Sequence, residues 1–344
     1  MRRITIILGL LAIAAVSCQK KKLPNLEETI YVRNDNATMP AYVRGNGASN
    51  NFIILIHGGP GGTGLEYDFG SYSDQLEKEC AMVYWDQRGQ GMSQGVYPTS
   101  DVTIAKMVED LRALILVVKK KYGNDINVFL LGHSWGGTLG TAFMTTPGYQ
   151  QMVNGWIEAD GAHDIPKLNV EAIKLYQQVG NEQILAGNSV SRWDSILGWA
   201  NSIDTNFIST EEGGEINSTG FATESLLQND GVIASSDGGS PTLIGPTSML
   251  TAFISGNVTS NLLFEEVEAY SATDMLSTIN IPTLVLWGKY DFVVPPALGY
   301  DTYNKISSTH KKLVIFEESG HSPMDTEADK FVIEVLDFVE AHAD

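Results

Sequence analysis

The stretch NVFLLGHSWGGTLG, residues 127–140, decides the fold. A continuous apolar run leads into Gly132-His133-Ser134-Trp135-Gly136 and then into small residues suited to the start of a helix. Uninterrupted apolar strands are expected where both faces of a sheet are covered. The G-x-S-x-G spacing of Gly132, Ser134 and Gly136 is what a sharp strand-to-helix elbow demands: a strained serine, with small neighbours that let strand and helix approach. Such an elbow lifts the serine hydroxyl to the top of the sheet. The helix N-terminus behind it favours negative charge.

Similar runs flank this stretch: TIYVR (29–33), AYVRG (41–45), FIILIH (52–57), AMVYWD (81–86), GWIEA (155–159), PTLVLW (282–287) and KLVIF (312–316), with INVFLL (126–131) leading into the elbow. Segments of helical period separate them, including 103–123, which ends in lysines and Gly123, and 325–342. Strands alternating with helices predict an α/β fold with a mostly parallel, eight-stranded sheet flanked by helices. From about Asp164 to Thr278 the strand signal fades, and 15 acidic residues stand against 3 basic ones. This region reads as a mainly helical cap inserted after the sixth strand, over the carboxyl ends of the strands where open α/β sheets bind ligands. The expected organisation is a leader over 1–18, a linker over 19–27, a core over 28–163 and 279–344, and a cap over 164–278.

A resting serine hydroxyl needs a base with a pKa near neutrality, and histidine fits. His133 does not, because adjacent side chains diverge on a sharp turn. With this elbow the partners follow in the order serine, acid, histidine. His163 precedes every late acid, His310 lies just before a strand, and His342 is near the end. His321 remains, in the loop ESGHSPMD after the last strand. Asp291, in WGKYDFVVPP after the preceding strand, is the expected acid; an acid after the sixth strand would instead be Glu158 or Asp160. Its role is to hold the imidazole tautomer and stabilise the imidazolium. The glycine-rich IHGGPGGTG (56–64) follows the third strand and should set the Gly59 amide opposite that of Trp135, making an oxyanion hole. It lacks a P-loop lysine and does not match a dinucleotide fingerprint.

Together HGGPGG (57–62), VYWDQRGQGMS (83–93), LLGHSWGG (130–137), LWGKYD (286–291) and SGHSP (319–323) resemble the proline iminopeptidase branch of the α/β-hydrolases. The resemblance covers about 29–160 and 279–342. It implies a serine exopeptidase with a helical cap and no metal or organic cofactor, acting on small peptides. Peptidases of this kind hold the substrate's free ammonium with cap carboxylates; Glu211, Glu212, Glu215, Glu224, Glu265, Glu266 and Glu268 are the candidates. Trp193 and Trp199 either line a pocket or pack between helices. Asp86 and Arg88 read as a structural pair beneath the oxyanion loop. The alternative activity is an esterase, lactonase or other small-acyl hydrolase on the same Ser134, Asp291 and His321. A different class, a surface protein that binds without catalysis, is disfavoured by the intact set of three.

The formal charge of −19 argues against nucleic-acid binding, which needs clustered basic residues. Arg2 and Arg3 precede an apolar run, Ile4 to Ala15, too short to span a bilayer comfortably. It reads as a secretory leader. AVSC, Ala15 to Cys18, resembles a bacterial lipoprotein cleavage box, so the expectation is an exported periplasmic or surface protein with a membrane tether at Cys18. The remaining cysteine, Cys80, then has no intrachain partner and reads as packing.

Overall fold

The computed structural model describes residues 24–236 and 249–343; the leader, Cys18 and most of the expected linker lie outside the described residues. The chain opens with an antiparallel hairpin of β1 (Leu26–Asn34) and β2 (Ala37–Gly45). Both strands are longer than the apolar runs suggest. Asp35 and Asn36 close the hairpin with φ of 40° and 63°, the left-handed pair that two-residue hairpin turns favour.

The parallel part comprises β3 (Asn51–Ile56), β4 (Ala81–Trp85), β5 (Asn127–His133), β6 (Gly155–Ala159), β7 (Thr283–Gly288) and β8 (Lys311–Phe316). The sheet order is β1-β2-β4-β3-β5-β6-β7-β8, and a two-residue ninth strand, Gln94–Gly95, pairs with the outer part of β2. Side chains of β3 alternate between two cores, which explains its unbroken apolar run. Phe52, Ile54 and Ile56 meet α2 (Ile104–Tyr122) and α3 (Trp135–Thr145) on one face. Ile53 and Leu55 meet α1 (Ser71–Glu79) and the C-terminal α10 (Ala328–His342) on the other. Cys80 is buried in the second core, where burial pushes its thiol up to about 12.

Between β6 and β7 lie α4 (Ile165–Ala186), α5 (Val190–Ala200), α6 (Thr210–Asn229) and α7 (Met249–Glu268). Their own apolar cluster includes Ile173, Tyr176, Trp193, Ile216 and Leu227 and takes in Phe292 from the loop after β7. Helix α8 (Pro296–Lys305) and the single turn α9 (Pro323–Thr326) complete the core.

Candidate active site

Ser134 stands between β5 and α3 with φ 57° and ψ −123°, a conformation that an L-residue holds only under constraint. The constraint is local. Its amide donates to the Ala159 carbonyl at 3.2 Å, and its carbonyl accepts from Gly137 at 2.8 Å and Ala162 at 3.1 Å. A Cβ on Gly136 would overlap the Ile56 carbonyl, and one on Gly137 would overlap Gly161, so only glycines let α3 sit this close.

The loops after β7 and β8 bring Asp291 and His321 together, with His321 Nδ1 2.9 Å from Asp291 Oδ2. Asp291 Oδ1 accepts the amides of Val293 at 2.9 Å and Val294 at 2.7 Å, which holds the carboxylate still. His321 Nε2 is thus the nitrogen left for the substrate side. Of the alternative acids, Glu158 is turned toward His163, 3.2 Å from its Nδ1. Asp160 lies buried beside Asp291, where it accepts the Gly288 amide at 2.9 Å. Burial and the neighbouring Asp291 charge raise its carboxyl well above the usual range.

Gly59, Pro60, Ser134 and Trp135 line one cavity. Trp135 is the first residue of α3, so its amide has no intrahelical acceptor. The segment WDQRGQGMS is the frame beneath this loop. Asp86 accepts the amides of Gly64 at 2.9 Å and Met92 at 2.7 Å. Gln87 receives the Trp135 indole N–H at 2.8 Å and donates to the His57 carbonyl at 3.1 Å. Gln90 accepts from Gly61. The expected Asp86–Arg88 pair is not formed. Left-handed turns at Gly89 and Gly91 carry the chain around Asp86, while Arg88 points the other way and grips Asp110 of α2 at 2.6 and 2.7 Å. Burial raises Asp86 to about 6, against the pull of its two amide donors.

A family model described as "Serine aminopeptidase, S33" matches residues 48–212. The chain is 28% identical to a proline iminopeptidase of Saccharolobus solfataricus over 85% of this chain and 86% of that protein. It is 25% identical to a proline iminopeptidase of Thermoplasma volcanium, over 84% and 88% respectively. An esterase from Exiguobacterium antarcticum shares the fold, with a TM-score of 0.58, 18% identity, and coverage of 92% of this chain and all of that one. The chain is thus similar to proline iminopeptidases over most of its length.

The cap of the hydrolase sorts its seven candidate carboxylates by position. Glu211 and Glu215 are exposed on α6, and Glu265 is exposed on α7. Glu212 closes a capping box with Ser209. Glu266 caps the Ile104 amide of α2 at 3.1 Å. Only Glu268 and Glu224 reach the site. Among the described residues, Glu268 is the one acid lining the cavity of about 220 Å³ at Ser134, whose walls include Ile165, Leu168, Phe264, Val293 and Val294. Burial raises its carboxyl above the usual range. Glu224 instead touches the loops carrying Asp291 and His321. Trp193 is fully buried between the cap helices and Trp199 packs edge-on against Tyr176, so neither lines the cavity of the hydrolase.

Nothing in the sequence separates Glu224 and Glu268 from the other acids, because α6 and α7 both show only a weak apolar stripe. The role of His133 was also hidden. Its Nδ1 accepts from Tyr67, 2.7 Å away, and its Nε2 donates to the His321 carbonyl at 2.6 Å.

Proposed function

We propose that the enzyme releases the N-terminal residue of short peptides through an acyl-enzyme on Ser134. His321 Nε2 takes the proton as Ser134 Oγ attacks the carbonyl, and Asp291 steadies the imidazolium. The amides of Gly59 and Trp135 receive the developing oxyanion. His321 then protonates the leaving amine and next activates the water that frees the acyl group.

The observation that carries the peptidase reading is Glu268, the one carboxylate among the described residues lining a small, largely apolar cavity beside the nucleophile. A half-buried carboxylate seeks a cation, and the α-ammonium of a residue whose apolar side chain fills the cavity supplies one. Turnover of prolyl and other aminoacyl amides should be compared with that of their N-acetylated forms and of simple esters. Equal turnover of free and blocked amines would remove the peptidase reading and leave the small-acyl esterase in its place.

We further propose export and tethering through an acylated Cys18, supported by Arg2, Arg3 and the AVSC box. Incorporation of labelled fatty acid that is lost in Cys18→Ala tests it; equal labelling of both proteins refutes it.

A further inference from the structure

Two loops that never meet in sequence carry Asp291 and His321, and one cap side chain is bonded to both. Glu224 Oε1 accepts the amide of Phe292, the residue after the acid, at 2.9 Å. Its Oε2 accepts the amide of His321 itself at 2.8 Å. The contact is built from both sides. Gly220, one turn earlier on α6, lets the helix close on the Phe292 backbone, where a Cβ would lie 2.9 Å from its carbonyl oxygen. Gly320 gives way in the same manner, because a Cβ there would overlap Glu224 Oε2. Phe221, on the same helix face, sets its ring edge-on to the His321 imidazole at 6.0 Å.

We propose that Glu224 is a positioning residue lent by the cap: its carboxylate clamps the acid loop to the base loop and so sets the placement of the His321 imidazole. The inference rests on the reaction proposed above and extends it, because it makes the geometry of the core catalytic loops depend on a cap helix. A carboxylate that accepts two amides from different loops fixes their separation. A shift of the order of 1 Å in a reacting group costs about 100-fold in rate.

Four titratable groups face the Glu224 carboxylate: Asp291 and Asp160 from the core, His321 from its own loop, and Tyr176 from α4. Burial, with the Asp291 charge, raises Glu224 to about 7, against the pull of His321 and the two amides. Its charge in turn favours the protonated form of His321. A clamp acting in this place therefore leaves two marks, one on kcat and one on the acid limb of the pH profile.

The test compares wild type, Glu224→Gln, Gly320→Ala and the exposed Glu215→Gln on 4-nitrophenyl acetate, with labelling by a serine-reactive phosphonate and a melting curve for each. Glu224→Gln keeps the shape but offers one acceptor where two are needed. It should lose about 10- to 100-fold in kcat with KM little changed. Its acid limb should move to lower pH. Gly320→Ala, which displaces the carboxylate without removing it, should show the same loss in kcat even if Glu224→Gln fails to fold. Glu215→Gln should match wild type. A kcat within twofold of wild type in either folded variant overturns the proposal, as does an acid limb in Glu224→Gln that does not move. A wild-type enzyme inert to both ester and phosphonate would refute the proposed reaction itself, and the inference with it.

Discussion

His133 is chained to His321, not to the serine beside it: its Nε2 donates to the His321 carbonyl at 2.6 Å. The chain continues on the other side, where the Gly58 amide donates to the Tyr67 hydroxyl at 2.9 Å and that hydroxyl meets His133 Nδ1. Oxyanion loop, elbow and base loop are thus joined by one neutral imidazole. Burial and the nearby His321 charge push His133 down to about 3, so it stays neutral across the working range. Replacing it by Leu strands a buried hydroxyl and a carbonyl, each costing about 1–3 kcal/mol. His133→Leu should show a matching fall in urea-unfolding stability together with a reduced kcat. Wild-type stability and rate in this variant would dismiss the chain as incidental.

Asp291 and Asp160 share one buried corner, yet they predict opposite outcomes. Asp291→Asn permits the wrong imidazole tautomer and should lower kcat by about 10⁴-fold. Asp160 is raised well above the usual carboxylate range by burial and by Asp291, and it is Asp291 that meets the imidazole. Asp160→Asn preserves the shape and leaves the Asp291–His321 contact in place, so it should stay within about tenfold of wild type. Steady-state rates of the two purified variants decide the matter, and a larger loss in Asp160→Asn would reverse the assignment.

The pH dependence follows from His321. Burial opposes its charge, but the charge and hydrogen bond of Asp291 and the charge of Glu224 win and raise it above 6.5. In the proposed reaction His321 must be neutral to accept the proton from Ser134. Activity is therefore full above the raised value and falls as pH drops through it. With an ester that has no ionisable group, the midpoint of the acid limb in kcat/KM should lie above 6.5. A midpoint below 6.5 would contradict this electrostatic balance.

Arg88 and Asp110, both fully buried, hold the frame beneath the oxyanion loop. Asn34 joins them from the hairpin, donating to Asp110 Oδ1 at 2.8 Å. Removing one partner strands a buried charge, at a cost of about 3–5 kcal/mol. Asp110→Ala should lose that much in denaturant titration. Arg88→Lys should also lose stability, because an ammonium cannot reproduce the two-pronged contact.

How far the sequence foretells this arrangement depends on how local the signal is. The elbow is legible because its glycines are demanded by immediate neighbours, Ile56 beside Gly136 and Gly161 beside Gly137. Asp291 and His321 are legible because each follows a parallel strand, and such strands deliver their loops to one edge of the sheet. Arg88 is not, since its partner lies on α2, and a residue two positions from Asp86 offers the nearer but wrong match. Glu224 and Glu268 are illegible for a related reason: they are distinguished from the five other candidate glutamates of the cap only by which helix face meets the core. Where a contact is set by tertiary approach and not by chain neighbours, composition and period carry no trace of it.

The central claim, that Glu268 makes this hydrolase an aminopeptidase, is tested most directly by a cycle of kcat/KM values. Wild type and Glu268→Gln are each measured on a prolyl amide and on its N-acetylated form. The account predicts that wild type favours the free amine, and that Glu268→Gln loses about 10- to 100-fold on it, the worth of a partly desolvated ionic contact. The variant should also treat the acetylated form much as wild type does. Equal effects of the substitution on both substrates would contradict the account.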